Sequence, residues 1–447
     1  MTKKYFGTDG IRARVNSDKM NPELALKVGL AAGNILNRGD HIHRVVIGKD
    51  TRRSGYVIEM ALASGFAAAG MDVMLVGPMP TPAVAKLVTS LRADAGVMIS
   101  ASHNPHYDNG LKFFGHDGYK ISDQVETEIE YLLKTDISNL YVEPDKLGKI
   151  KRIEDVKGRY IEFAKSTLST NMTFEGLTIV LDCANGAAHR VAPETLKELG
   201  AKVIPIGIEP NGFNINKSCG STHPETMSNL VIENNADIGI ALDGDADRII
   251  ICDEGGKIID GDQLIATIAA TWKENNQLND NSVVATVMSN MGLENYLSSI
   301  NCKLIRTDVG DRHVIKEMRK HGYNVGGEQS GHIILSDYAN TGDGLISGLQ
   351  ILSEIVKSGK KTSEVCNRFK PYPQILKNVG YENSDPLELD IVQNAIRQGK
   401  QELASSGRIL IRKSGTEPLI RVMAEGKDLA LVETIVDKIC ATIQKNI

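Results

Sequence analysis

The chain has 447 residues, and at about 150 residues per domain this length predicts roughly three domains. Its hydrophobic share of 41% excludes an intrinsically disordered chain and a collagen-like fibre. The net charge of −5 and the aromatic share of 5% disfavour a broadly basic nucleic-acid binder, so no nucleic-acid partner is expected.

Short apolar runs alternate with helical patterns along most of the chain, as is typical of α/β domains. Strands are predicted, in chain order, at 45–50, 73–77, 96–100, 177–183, 202–207, 237–243, 282–288 and 303–309. Helices are predicted between them, at 54–69, at 82–91, up to 199, up to 300 and at 314–321. Because these strands are apolar on both faces, we expect helices on both sides of each sheet.

The C-terminal region has a different pattern, in the order β-α-β-β-α. Its strands are predicted at 375–381, 408–412 and 419–425, with one helix at 386–403 and a final helix. One face of that final helix is apolar and carries Val432, Ile435, Val436, Ile439 and Ile443. Shifts in charge, glycine and proline content then divide the chain into four predicted domains, at 1–155, 156–255, 256–367 and 368–447.

Neither a secretory signal nor a membrane partner is expected. The first residues contain no apolar region, and no stretch approaches the roughly 18 apolar residues that a membrane helix needs. The six cysteines are far apart and form no CxxC pair, which disfavours a zinc site and a disulfide framework. These patterns predict a protein of the reducing cytoplasm.

One stretch of the chain resembles another. Residues 93–102 align with residues 236–245, and each is preceded by a helix end, a glycine and a strand. We interpret this as an internal repeat of one α/β unit, with chance likeness as the alternative. The repeat places Ser102 and Asp245 at equivalent points after equivalent strands, where open α/β sheets bind their ligands.

Three carboxylates follow the strand at 237–243. Asp243, Asp245 and Asp247 stand at alternate positions, and an oxygen-rich anionic cluster favours a hard cation such as Mg²⁺. A calcium-binding EF-hand is disfavoured, because its sixth position requires glycine and here holds Arg248. A solvated acidic turn stays open as the alternative.

Ser102 lies in a turn rich in hydroxyl groups, followed by His103. An ordinary Ser/Asn/Pro turn is one interpretation, and His103 would activate the serine only if the two were within hydrogen-bond reach. The repeat nevertheless sets Ser102 opposite the carboxylate cluster. A phosphoserine, unlike a bare serine, would complete a Mg²⁺ site there.

A second anion site is predicted near the C-terminus. The Ser414-Gly415-Thr416 turn could point backbone N–H groups at a phosphate, while Arg412 and Arg421 grip its oxygens. A plain hairpin turn is the alternative.

A glycine-rich segment at 326–332 presents Glu328 and Ser330, whose polar groups suit sugar hydroxyls. Neither a dinucleotide nor a P-loop fingerprint is present.

Five ordered motifs together resemble the α-D-phosphohexomutase superfamily over nearly the whole chain: TDGIR (8–12), SASHNP (100–105), DGDADR (243–248), GEQSGH (327–332) and RKSGTEP (412–418). The resemblance implies four domains around a central cleft. Three would be repeated α/β domains with mixed sheets, and the last a smaller α+β domain. One departure is Ala13, where the superfamily usually has glycine.

The resemblance also implies roles for individual residues. Ser102 would be the phosphoserine, and its phosphate would hold one Mg²⁺ per chain together with Asp243, Asp245 and Asp247. Other implied roles are sugar binding (Glu328, Ser330), the phosphate clamp (Arg412, Ser414, Gly415, Thr416, Arg421), proton transfer (Lys112, His332) and contact with the transferred phosphate (Arg12, His103).

The implied activity is a phosphoryl shift on a hexose phosphate. The residues that flank the five motifs, together with Gln329, favour the interconversion of glucosamine 6-phosphate and glucosamine 1-phosphate. The resemblance implies glucosamine 1,6-bisphosphate as intermediate and activator, and a role in UDP-N-acetylglucosamine synthesis. A mannose- or glucose-phosphate mutase is the alternative within the superfamily. A non-catalytic sugar-phosphate sensor and a phosphatase are the alternatives outside it. A kinase or autophosphorylation would load Ser102, and a homodimer is left open.

Overall fold

The computed structural model describes residues 4–381, 386–413 and 419–446. These residues form four sheets of six, five, four and three strands, in chain order. The predicted class is confirmed, since three α/β units with mixed sheets precede a smaller C-terminal unit.

The first unit has the strand order β1-β5-β4-β2-β3-β6. Its strands are β1 (Ile11–Arg14), β2 (Arg44–Lys49), β3 (Asp72–Pro78), β4 (Ala95–Ile99), β5 (Asp108–Gly115) and β6 (Ile150–Arg152). Its helices are α1 (Pro22–Leu36), α2 (Ser54–Ala68), α3 (Thr81–Ser90) and α4 (Asp123–Leu132). Successive β2 side chains enter opposite cores, since Val45 and Ile47 pack with α1 and α2 while Val46 packs with α3. Helices therefore cover both faces, as predicted.

The second unit repeats the central pattern of the first, in the order β11-β10-β9-β7-β8. Its strands are β7 (Thr178–Asp182), β8 (Lys202–Ile206), β9 (Ile238–Leu242), β10 (Ile249–Cys252) and β11 (Ile258–Ile259). Its helices are α5 (Val156–Ser166), α6 (Val191–Glu198) and α7 (Glu225–Glu233). Both β4 and β9 lie between a parallel strand and an antiparallel one. Ser102 and Asp245 each stand three residues beyond those strands, so the two segments of the predicted repeat occupy equivalent positions in the two sheets.

The third unit has the order β13-β12-β14-β15. Its strands are β12 (Ser282–Thr286), β13 (Lys303–Thr307), β14 (Val325–Gly327) and β15 (Ile333–Leu335). Its helices are α8 (Gly261–Glu274), α9 (Met291–Ser299), α10 (Asp311–His321), α11 (Gly344–Ser358) and α12 (Thr362–Cys366). Here β14 is parallel to β12 and antiparallel to β15, so the loop that follows β14 is equivalent to those that follow β4 and β9.

The fourth unit is an antiparallel sheet, β16-β18-β17, covered by two helices. Its elements are β16 (Gln374–Gly380), α13 (Asp390–Leu403), β17 (Gly407–Lys413), β18 (Leu419–Gly426) and α14 (Leu429–Gln444). The predicted helix at 386–403 begins with a 3₁₀ turn, Pro386–Glu388, and is regular only from Asp390. The predicted apolar face of α14 is buried against the sheet.

The six cysteines are buried and free. Within the described ranges, no helix is both long enough and apolar enough to cross a membrane.

Candidate active site

The loops that follow β4, β9 and β14 meet at one place. Ser102, from the first loop, donates a hydrogen bond from Oγ to Asp243 Oδ2 in the second loop, at 2.6 Å. His332, at the end of the third loop, lies with Nδ1 3.6 Å from Asp247 Oδ1. Three separate units therefore contribute to a single cluster of polar groups.

Ser102 is fully buried and has a backbone φ of +52°, in the left-handed region that non-glycine residues rarely adopt. Hydrogen bonds hold this conformation. Its N–H donates to Ser100 Oγ at 2.9 Å, and its carbonyl accepts from Arg52 Nη2 at 2.9 Å and from Asn216 Nδ2 at 2.8 Å. Such enforced strain is common at residues that take part in chemistry.

The three carboxylates form a buried triad. Asp243, Asp245 and Asp247 each place an oxygen within 4.8 Å of the others. Burial, and then the charges of Asp247 and Asp245, raise the pKa of Asp243 well above its usual value. The Oδ1 atoms of Asp245 and Asp247 are buried, and among the described residues they have no hydrogen-bond partner. Crowded carboxylates with spare oxygens fit a divalent cation, so the triad can hold a metal.

Lys112, on β5, reaches into the same cluster. Its Nζ lies 2.8 Å from Asp245 Oδ2, 2.8 Å from Asp247 Oδ2 and 3.5 Å from Asp9 Oδ2. Burial opposes its charge, but the three carboxylates outweigh burial and raise the pKa of Lys112 well above the usual range. Its ammonium group is therefore charged in this arrangement.

Arg12, on β1, donates a hydrogen bond to Asp9. Asp9 also binds Lys120, and Lys120 binds Asp311 at the start of α10. Burial would raise the pKa of Asp9, but Lys112, Lys120 and Arg12 outweigh it and hold the pKa well below its usual value. Ion pairs of Lys120 with Asp9 and Asp311 thus connect the first unit to the third beside the cluster.

His103 stands beside Ser102, with its Nδ1 3.4 Å from Ser102 Oγ. Burial, followed by the charges of Arg248 and Arg12, lowers the pKa of His103 to about 4. The imidazole is therefore neutral at pH 7, and it can exchange a hydrogen bond with the serine or with a phosphate oxygen.

His332 is buried between two carboxylates. Besides Asp247, its ring faces Asp311, with Nε2 3.4 Å from Asp311 Oδ2. Burial opposes protonation, but Asp247, Asp311 and Glu328 outweigh it and raise the pKa of His332. In the neutral form, Nε2 accepts the Gly342 N–H at 3.1 Å, which leaves the proton on Nδ1.

The loop after β14 carries three polar side chains in a row, Glu328, Gln329 and Ser330. Glu328 accepts a hydrogen bond from Gly310 N at 3.2 Å, and burial raises its pKa. Ser330 is exposed, whereas Gln329 turns away and donates to Asp260 Oδ2 at 3.1 Å. Of the two residues predicted to bind a sugar, Ser330 is thus open to solvent and Glu328 is largely buried.

Arg412 and Arg421 lie directly opposite each other across the ladder between β17 and β18. Burial, and then the charge of Arg421, lower the pKa of Arg412, and its buried Nε has no hydrogen-bond partner among the described residues. Like charges at opposed positions destabilise a sheet, so an anion between them would be stabilising. The other predicted clamp residues, Ser414, Gly415 and Thr416, lie outside the described residues.

Four family models match the chain in order. They describe phosphoglucomutase/phosphomannomutase α/β/α domains I, II and III, at residues 3–139, 158–256 and 260–372, and the C-terminal domain of the same enzymes, at 376–442. The chain belongs to the phosphoglucomutase/phosphomannomutase family. The predicted membership of the phosphohexomutase superfamily is thereby confirmed.

Relatives in this family match over their full length. A phosphoglucosamine mutase from Methylobacterium radiotolerans is 59% identical over 445 residues, covering 100% of this chain and 99% of the relative. Another, from Parvibaculum lavamentivorans, is 58% identical over 446 residues, covering 100% of both. The predicted enzyme class, an isomerase that shifts a phosphoryl group, is confirmed by these matches.

Solved structures of the family share the fold. A phosphoglucomutase/phosphomannomutase family protein from Burkholderia thailandensis has a TM-score of 0.81 at 22% identity, covering 100% of this chain and 98% of that one. An N-acetylphosphoglucosamine mutase from Aspergillus fumigatus, solved with GlcNAc-6P and magnesium, has a TM-score of 0.65 at 17% identity, covering 100% and 96%.

Several residues at this family site were not predicted from the sequence. They are Asp9, Arg52, Lys120, Arg248 and Asp311. Asp9 and Arg248 lie inside recognised motifs, and Arg52 lies in a polar run directly after β2, whose neighbour β4 precedes Ser102. That polar run was a usable signal. Lys120 and Asp311 carry no comparable signal, because only the folded chain brings them together.

Arg52→Ala is expected to lower the free energy of unfolding of the first unit by about 3 kcal/mol or more, because it leaves the buried carboxylate of Asp50 without its ion-pair partner. Arg52 is fully buried, and its Nε donates to Asp50 Oδ2 at 2.8 Å. Urea unfolding measures the effect. Arg53→Ala is the control, because Arg53 is exposed and its loss should change the midpoint little. Equal midpoints for both variants would contradict the bracing role of Arg52.

Proposed function

We propose that the protein interconverts glucosamine 6-phosphate and glucosamine 1-phosphate through a phosphorylated Ser102 and glucosamine 1,6-bisphosphate. The observation that carries this proposal is the contact of Ser102 Oγ with a buried carboxylate triad, at 2.6 Å. Full-length relatives at 58–59% identity that are phosphoglucosamine mutases support the choice of sugar.

Each phosphoryl transfer breaks one P–O bond and forms another. The P–O bond to Ser102 Oγ breaks as a P–O bond to the free sugar hydroxyl forms, and Ser102 ends as a hydroxyl. The bisphosphate then reorients and returns its other phosphate to Ser102. We assign the two proton transfers to Lys112 and His332, the two titratable nitrogen groups that contact Asp247 of the triad.

One Mg²⁺ per chain is proposed to be held by Asp243, Asp245, Asp247 and the phosphate on Ser102. When bound, it would offset negative charge on the transferring phosphoryl group. Arg12 adds positive charge on the same side, and His103 adds a neutral hydrogen-bonding group beside Ser102 Oγ. Positioning and electrostatics would therefore provide most of the rate enhancement.

The phosphate that does not react needs a site of its own. We assign it to the clamp made by Arg412, Ser414, Gly415, Thr416 and Arg421. Glu328 and Ser330 would bind the sugar hydroxyls between the two phosphate sites. Because both phosphates react in turn during one cycle, either one must fit the clamp while the other meets Ser102.

Arg421→Lys is expected to raise KM for both glucosamine 6-phosphate and glucosamine 1-phosphate, about tenfold or more. A lysine cannot reproduce the two parallel hydrogen bonds that an arginine makes to a phosphate. Steady-state kinetics in both directions measure the effect. Lys377→Arg is the control, because Lys377 lies on the other, helix-covered face of the same sheet, where it pairs with Asp437 of α14. Unchanged KM values with weakened Mg²⁺ binding would instead place Arg421 in the metal site.

Substrate choice tests the proposed function most simply. The phosphorylated protein should convert glucosamine 6-phosphate with a kcat/KM at least about tenfold above that for glucose 6-phosphate or mannose 6-phosphate. Faster conversion of a glucose or mannose phosphate would favour the other mutases of the family. Binding without turnover would indicate a sensor, and release of inorganic phosphate would indicate a phosphatase.

The remaining proposals concern the cell. The first phosphate on Ser102 would come from a kinase or from autophosphorylation. The protein would work in a reducing cytoplasm, where its six buried cysteines stay free, and would supply UDP-N-acetylglucosamine synthesis. A homodimer stays a prediction.

A further inference from the structure

A second cluster of potential metal ligands lies where strands β2 and β4 of the first sheet begin. His43 and Asp94 stand immediately before β2 and β4, which are parallel neighbours, and His41 precedes His43 by two residues. Ser102 follows β4 at its other end. The five residues of β4 span roughly 16 Å, so this cluster is remote from the carboxylate triad.

The three side chains are close enough to share one ion. His41 Nε2 lies 2.9 Å from Asp94 Oδ1, and His43 Nδ1 lies 3.7 Å from Asp94 Oδ2. One ligand atom from each residue lies within 4.8 Å of the others. A tetrahedral site with bonds of about 2.1 Å separates its ligand atoms by about 3.4 Å, so small side-chain rotations from the present contacts with the two oxygens of Asp94 would reach it.

The hydrogen bonding of His43 is incomplete. Its Nδ1 is buried, and no hydrogen-bond partner for it is found among the described residues. The 3.7 Å to Asp94 is too long for a hydrogen bond. A buried nitrogen without a partner is unfavourable, and a metal ion would satisfy it.

The carboxylate of Asp94 is already held in place. Its side chain is 7% exposed, and Oδ2 accepts the backbone N–H of Arg44 at 2.8 Å. His41 is 51% exposed, so solvent reaches the cluster from its side. Asp94 would therefore be a ligand already fixed in position and His43 a buried ligand, while solvent on the His41 side could supply a water ligand.

We propose that His41, His43 and Asp94 bind one divalent transition-metal ion of the Zn²⁺ type. Two imidazole nitrogens with one carboxylate favour such an ion over Mg²⁺, which prefers oxygen ligands only. The bound ion would tie the segment between α1 and β2 to the start of β4. It would stabilise the first unit and would take no part in phosphoryl transfer.

Metal titration tests the proposal with the full chain kept in saturating Mg²⁺, which occupies the carboxylate triad. Zn²⁺ binding is measured by equilibrium dialysis, and Co²⁺ is used as a spectroscopic probe. A four-coordinate Co²⁺ site with imidazole ligands absorbs visible light far more strongly than a six-coordinate oxygen site. His41→Gln and His43→Gln each remove one ligand. His321→Gln is the matched control, because His321 also pairs with a single carboxylate, that of Glu317.

We expect one Zn²⁺ per chain with micromolar or tighter affinity, weakened at least tenfold in His41→Gln and in His43→Gln but unchanged in His321→Gln. The strong Co²⁺ absorption should disappear in the same two variants, while their mutase activity in Mg²⁺ stays at the level of the unchanged protein. Absence of Zn²⁺ binding, or equal affinity in all four proteins, would overturn the proposal. Circular dichroism confirms that the variants are folded.

Discussion

Ser102→Ala is expected to lower turnover of glucosamine 6-phosphate by several orders of magnitude, because it removes the oxygen that we propose carries the phosphoryl group. The expected loss is in kcat, since the clamp and the sugar-binding residues are unchanged. Intact-mass analysis of active protein should find one phosphate, and peptide mapping should place it on Ser102.

Ser100→Ala is the matched control. Ser100 is equally buried, but its Oγ accepts the Ser102 N–H at 2.9 Å and donates to Asp50 Oδ2 at 2.7 Å. Its loss should loosen the Ser102 turn and leave a reduced but measurable rate. An active Ser102→Ala protein with its phosphate on Ser100 would contradict the assignment.

Asp245→Asn is expected to reduce Mg²⁺-dependent activity by orders of magnitude. Asp245 supplies to the triad a buried oxygen that has no hydrogen-bond partner in the described part of the chain, while its other oxygen binds Lys112 and Thr81. The asparagine removes a negative charge that both the cation and Lys112 require. Activity titrated with Mg²⁺ should show a much higher half-saturating concentration, a much lower maximum, or both.

The control for this variant is Asp117→Asn, which removes a half-exposed carboxylate that pairs with Arg319 on the surface. Its Mg²⁺ titration should match that of the unchanged protein, because exposed ion pairs contribute little. Full activity of the unchanged protein in excess chelator would contradict the metal requirement.

The periodicity of the sequence predicts most of the sheets, but it misses three strands of the first unit. In β5, Asn109 and Lys112 are buried although they are polar, and their polarity interrupts the apolar pattern that marks a buried strand. In β6 all three residues are exposed, as is common at a sheet edge, so no apolar run marks it. The short β1 is positioned by its pairing with β5.

The candidate site was predictable where it lies in short motifs. Ser102 and the three aspartates belong to loops that follow apolar strands, and the repeat relates those loops to each other. The ion pairs of Lys120 were not predictable, because they join Asp9 and Asp311 from two units that are far apart in the chain. Neither was the left-handed backbone of Ser102, which depends on contacts with Arg52 and Asn216.

The passage of one phosphoryl group between Ser102 and the sugar can be followed directly. Protein carrying radiolabelled phosphate on Ser102 is mixed with one equivalent of glucosamine 6-phosphate and quenched at successive times. The label should leave Ser102 within the first turnover, appear in glucosamine bisphosphate and then be shared between sugar phosphate and protein. Formation of glucosamine 1-phosphate while the label stays on Ser102, or its loss as inorganic phosphate, would contradict the proposed reaction.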